Sequence, residues 1–95
     1  MYAVIRRYQF DKRNSEELDR KVRETFLPLL KKTPGFVAYY WLDTGEGTGA
    51  SLSVFQNKVG AEESVRVAAK FVQEHLAGIK ISKPEITEGE VHAHS

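Results

Sequence analysis

Residues 33–43 read TPGFVAYYWLD, a helix-breaking Pro34-Gly35 pair followed by a segment carrying the rings of Phe36, Tyr39, Tyr40 and Trp41. Neither breaker continues a helix, and the aromatic and β-branched residues behind them favour a strand. Strict alternation puts Phe36, Ala38, Tyr40 and Leu42 on one face and Val37, Tyr39 and Trp41 on the other. Both faces are apolar, so this strand needs cover on two sides. The elements around it decide what supplies that cover.

Upstream, DKRNSEELDR (11–20) has the features of a helix start. Asn14 or Ser15 suits the cap, Glu17 follows Asn14 by three as in a capping box, and acidic residues occupy the first turn, where the helix dipole favours them. Leu18, Val22, Phe26, Leu29 and Leu30 then recur at helical spacing and form one apolar stripe. Pro28 falls inside the stripe, where it removes a backbone donor and crowds the preceding turn, so a kink is expected near residues 24–28. The opening MYAVIRRYQF is strand-like: Tyr2, Val4, Arg6, Tyr8 and Phe10 share one face, and Ala3, Ile5, Arg7 and Gln9 the other.

Downstream, TGEGTG (44–49) connects to a third strand, ASLSVFQN (50–57). The connection lacks the Lys-Ser/Thr of a phosphate loop and no helix follows it directly, so it reads as a hairpin. Ala61, Val65, Ala68, Val72 and Leu76 step by three and four through a second helix over 61–77, which Gly78 ends. EITEGEVHAHS (85–95) reads as a terminal strand with Gly89 at a bulge or bend. The order is βαββαβ in one domain over residues 1–95. It predicts an α+β, ferredoxin-like fold, a four-stranded antiparallel sheet with two helices on one face. Two helices cover only one sheet face, and the other would expose a contiguous apolar patch, which a soluble monomer avoids. A two-fold homodimer packed through that face is therefore expected.

Composition narrows the function classes. Fourteen basic against thirteen acidic residues leave a formal charge of +1, with no basic block to neutralise a phosphate backbone, so nucleic acid is not an expected partner. No cysteine means no disulfide framework and no thiolate chemistry, which fits a cytoplasmic protein. No stretch approaches the ~20 apolar residues of a membrane span, and the first residues lack a signal-like apolar core.

The βαββαβ order, the block LPLLKKTPGFVAYYWLD (27–43) and the passage SVFQNKVGAEES (53–64) resemble the dimeric α/β-barrel superfamily, in particular its antibiotic-biosynthesis monooxygenase branch. The resemblance runs from Tyr2 to about His92. It implies a homodimer forming a dimeric α/β barrel, with a cavity in each subunit between sheet and helices. It also implies an activity class: members of that branch oxidise polyphenolic aromatics with oxygen and neither metal nor flavin, while relatives degrade haem. Many members carry a tryptophan at the end of strand 3 and a histidine nine or ten residues later. Here those positions hold Phe55 and Ser64 or Val65. Neither Ser64 nor Val65 offers haem iron a donor like imidazole, so no cofactor is expected.

The candidate ligand-binding residues are Arg6, Tyr8, Tyr40, Trp41, Ser53 and Phe55. Arg6 and Tyr8 share a strand face and together suit a carboxylate or phenolate, while an ion pair with a helix glutamate or a solvated edge is the alternative role expected of Arg6. Aromatic rings with polar tips suit a flat apolar or aromatic ligand, and equally suit packing. Ser51, Ser53 and Asn57 give strand 3 a half-polar face. His75 flanks the apolar stripe of the second helix, where a structural role is expected, and His92 with His94 form a terminal same-face pair open to adventitious metal. Two functional readings stand. One is a small-molecule-binding protein whose catalytic version is a cofactor-independent monooxygenase; the other is a structural or interaction module whose cavity its own side chains fill.

Overall fold

In the computed structural model, which describes residues 1–95, four strands form one antiparallel sheet. They are β1 (Tyr2–Gln9), β2 (Phe36–Gly45), β3 (Thr48–Phe55) and β4 (Glu85–Glu90), laid side by side in the order β2-β3-β1-β4. Arg6 sits opposite Ser51 on one side and Ile86 on the other. The even positions of β1 and the odd positions of β3 point to the same face, where Val4, Arg6, Ser51, Ser53 and Phe55 are buried. That is the face the helices cover. The sequence-predicted α+β, ferredoxin-like arrangement is the one observed.

The first helical stretch begins with a 3₁₀ turn (Lys12–Asn14), continues as α1 (Ser15–Lys21), widens into a π-helical turn (Val22–Phe26) and ends as α2 (Leu27–Lys31). The wide turn occupies the site of the expected kink. Pro28 offers no N–H and its ring crowds the carbonyl of Glu24, so the ladder loosens just ahead of it and Leu27 N–H donates back to Val22 O. The cap differs from expectation. Asp11 accepts from Arg13 N at 3.0 Å, while the Asn14 side chain makes no capping bond. The acidic Asp11 sits one turn earlier because the 3₁₀ turn precedes α1.

Strand β2 corrects the alternation read from the sequence. Phe36 pairs with Phe55 and Ala38 with Val54, so Val37 is the extra residue of a β-bulge. The bulge resets the parity and brings Phe36 to the helix face alongside Tyr39 and Trp41. The Phe36 and Phe55 rings meet edge-on at 6.1 Å, and Tyr39 meets Phe26 edge-on at 5.4 Å. The hairpin is tighter than the six-residue connection expected, because β2 and β3 extend to a two-residue turn. Its central residues Glu46 and Gly47 both have positive φ (55° and 76°), as a type I′ turn requires.

Helix α3 (Lys58–His75) starts three residues before the apolar repeat at Ala61. Asn57 caps it, accepting from Gly60 N at 3.2 Å. Its buried residues Ala61, Ala68 and Phe71 share one core cluster over the sheet with Leu18, Val22, Phe26 and Leu30 of the first stretch. Gly89 pairs in register with Ala3 and makes no bulge, and β4 ends before His92 and His94. The opposite sheet face presents Ile5, Leu52, Val54, Tyr40 and Leu42, none of them buried. No helix is long and apolar enough to cross a membrane.

Candidate functional site

Arg6 lies at the centre of the sheet, under the helices, and only 1% of it is exposed. Its Nη2 donates to Ser64 Oγ at 3.2 Å, and that hydroxyl in turn donates to Ala61 O at 2.6 Å. Its Nη1 has no partner, and none of the chain's ion pairs includes Arg6. Burial pulls the guanidinium below its ordinary pKa, while Tyr8, Tyr39 and, last, the Glu88 carboxylate act in the opposite direction. An arginine nonetheless remains charged at neutral pH. The result is a buried cation with no ion-pair partner, Glu88 acting on it only from beyond contact, an arrangement whose desolvation cost is large unless something pairs with it.

A cavity of about 30 Å³ adjoins it, roughly the share of one water molecule in the liquid. Arg6, Tyr8, Tyr39, Trp41 and Ser51 form its sheet wall, and Leu18, Val22, Phe26 and Phe71 belong to its roof. Burial pushes the Tyr8 phenol up, with Arg6 opposing. Burial, and then the neighbouring Tyr8, raise the Tyr39 phenol further, with the Ser51 hydroxyl and Arg6 opposing. Both phenols are therefore neutral donors at physiological pH. Trp41 is held rigidly: its Nε1 donates to Asp19 Oδ1 at 2.8 Å, and a Cβ on Gly49 would lie 2.7 Å from its Cη2. The indole thus lies against bare backbone. Two grooves adjoin the cavity. One of about 410 Å³ runs between α3 and residues 81–86 and shares Arg6 and Tyr8 with it; the other, about 400 Å³, shares Val22, Tyr39 and Trp41.

Of the residues singled out from sequence, Arg6, Tyr8 and Trp41 line this cavity. Ser53 and Phe55 face the same way but lie further along β3, both fully buried, Phe55 packed on Phe36 and the Ser53 hydroxyl unpartnered. Tyr40 is on the opposite face and 60% exposed, because strand alternation separates it from its neighbours Tyr39 and Trp41. Tyr39 takes the place expected of it. Ser64 was overlooked as a partner of Arg6, yet a signal existed: it lies three after Ala61 and four before Ala68, a polar residue in a buried stripe that needs a bonding partner. Asn57 is a helix cap, and His75 stacks on Phe71 with ring centroids 5.5 Å apart at the exposed end of α3.

No family model matches the chain, and no curated protein is similar to it in sequence. Solved structures are similar in fold. A protein of unknown function from Nitrosomonas europaea, NE2512, superposes with a TM-score of 0.82 at 22% identity, covering 99% of this chain and 91% of that one. The monooxygenase ActVA-Orf6 of Streptomyces coelicolor, solved with nanaomycin D, gives 0.77 at 9% identity, covering 99% and 89%. The haem degrader MhuD of Mycobacterium tuberculosis, solved with two haems, gives 0.77 at 15%, covering 100% and 99%. The chain shares the ferredoxin-like fold of these proteins.

Within this ferredoxin-like fold the chain's own residues do not suit haem. The α3 face over the cavity carries Ala68, Phe71 and Val72, and Ser64 is committed to Arg6. None is an iron ligand, and His75 lies outside the cavity wall. His92 and His94 are exposed beyond β4, and no group of three or more histidine or carboxylate side chains is placed to hold a metal.

Proposed function

We propose that the protein binds an apolar or aromatic small molecule between its sheet and helices and works as a cytoplasmic homodimer. The observation that carries this reading is the apolar, aromatic-walled cavity around an unpaired buried cation, with ligand-sized grooves on either side of it. Similar folds bound to nanaomycin D and to haem support the binding reading. The apolar sheet face opposite the helices supports the dimer, since Ile5, Leu52, Val54, Tyr40 and Leu42 lack cover within one chain.

The catalytic version is a cofactor-independent oxygenase. There the substrate is the reductant and molecular oxygen the oxidant: one oxygen atom enters the ring and the other leaves as water. Arg6 would stabilise the substrate anion, and the aromatic walls would keep water away from it. No carboxylate or imidazole lines the cavity, so the substrate must ionise readily beside Arg6 without a protein base. Tyr8 and Tyr39, both neutral, orient it.

A structural module is the second reading, and the small volume of about 30 Å³ favours it. One experiment separates the two. Titrating hydroquinones and quinones against Trp41 fluorescence should give saturable quenching, and oxygen uptake with a quenching hydroquinone identifies the catalytic version. A flat response over the panel leaves the structural module.

A further inference from the structure

Resting on the binding reading above, the geometry points to a ligand that is already an anion when bound: an apolar body headed by a carboxylate or similar group. We infer that the head pairs with Arg6 Nη1 and the body lies in the groove between α3 and residues 81–86. Three observations converge on this. Arg6 Nη1 is buried and unpartnered, and a water filling the 30 Å³ cavity would accept a hydrogen bond without supplying the missing charge. The groove of about 410 Å³ reaches Arg6 directly and is walled by Val65, Ala68, Val72, Ile81, Pro84 and Ile86. Its only other charged residue is Lys83, so the groove combines an apolar wall with two positive charges and no carboxylate.

Binding strength divides accordingly. The guanidinium offers Nη1 hydrogens to an oxygen anion, and the neutral Tyr8 phenol, which lines both cavity and groove, supplies another donor. The groove on the far side of the cavity differs, because it sets two carboxylates, Asp19 and Asp43, against the single cation Arg23 and so disfavours an anion. Entry from the α3 side follows from that contrast.

The test uses calorimetric titration with 2-naphthoate and its uncharged counterpart 2-naphthamide. The wild-type protein should bind naphthoate at least about tenfold more tightly, the discrimination expected of a charge-assisted hydrogen bond. Two variants follow. Arg6→Met should abolish the preference. Ile86→Glu places a carboxylate opposite Arg6 on an edge strand, at a half-exposed position on the same sheet face, and so supplies the counter-charge from within. It should eliminate naphthoate binding while the fold and its melting temperature are maintained, and it keeps the test decisive should Arg6→Met not fold. Equal affinity for the two probes overturns the inference and leaves the binding reading intact. Unchanged naphthoate affinity in Ile86→Glu also overturns it. Failure of both probes to bind overturns inference and binding reading together.

Discussion

Replacing Arg6 with methionine should make the protein more stable. Methionine follows the same unbranched path as the arginine stem, so the substitution removes the charged head without opening a large void. What is lost is one hydrogen bond, Nη2 to Ser64 Oγ at 3.2 Å, worth about 1.5–3 kcal/mol for a charged donor. Ser64 is not orphaned, because its own proton is already given to Ala61 O. What is gained is release from burying a guanidinium that is 1% exposed and has no ion-pair partner. Comparable replacements of buried ionic groups by apolar ones stabilise by about 1–4 kcal/mol net, with the lost hydrogen bonds already included. For a domain of this size each kcal/mol raises Tm by roughly 4–8 °C. Urea denaturation followed by circular dichroism, with a thermal melt beside it, measures the change. A loss of more than about 1 kcal/mol would refute the claim that Arg6 is retained at a cost in stability, because it would mean that Arg6 anchors the fold.

Other outcomes follow from the same packing. Gly49→Ala should cost about 1–3 kcal/mol, because the new methyl meets an indole that the Asp19 bond holds in place; the urea midpoint and the Trp41 emission maximum should both shift. Alkaline pH should destabilise the protein. Burial raises the folded Tyr8 and Tyr39 phenols above the unfolded value near 10, so the unfolded state sheds protons that the folded state keeps, and stability is lost as pH rises past about 10. The urea midpoint measured between pH 8 and 11 should fall, and should fall less in Tyr39→Phe. Leu52→Lys places a charge in the middle of the open sheet face and should leave a one-chain mass in sedimentation, where the proposed dimer predicts twice that mass for the wild type.

Element order was legible because its signals are local. Helical spacing from Leu18 to Leu30 and from Ala61 to Leu76, the Pro34-Gly35 break and the glycines near 45–49 each report on a few neighbouring residues. That Arg6 and Tyr8 share one face of β1 was equally plain, but not that this face looks inward. What the sequence concealed depended on partners far along the chain. The bulge at Val37 arises from pairing with β3 and decides which rings of β2 share a face. The Arg6 to Ser64 bond spans two elements, and neither residue signals the other's position. That Tyr40 lies on the face away from the cavity was not legible, because a strand with two apolar faces gives no internal clue to which one looks inward.

The wide turn at Val22–Phe26 means that helix length over the cavity is adjustable. In a regular helix, losing one residue swings everything beyond it by about 100°, which would tear Leu30 from the core. Here the turn already contains a spare residue. Deleting Thr25 would let the wide turn close into an ordinary one, with both flanking segments keeping their seats and only the aim of Val22 and Phe26 changing. Those two side chains roof the cavity. The scaffold therefore offers its lineage single-residue steps by which the shape above Arg6 can be retuned while the sheet beneath stays as it is.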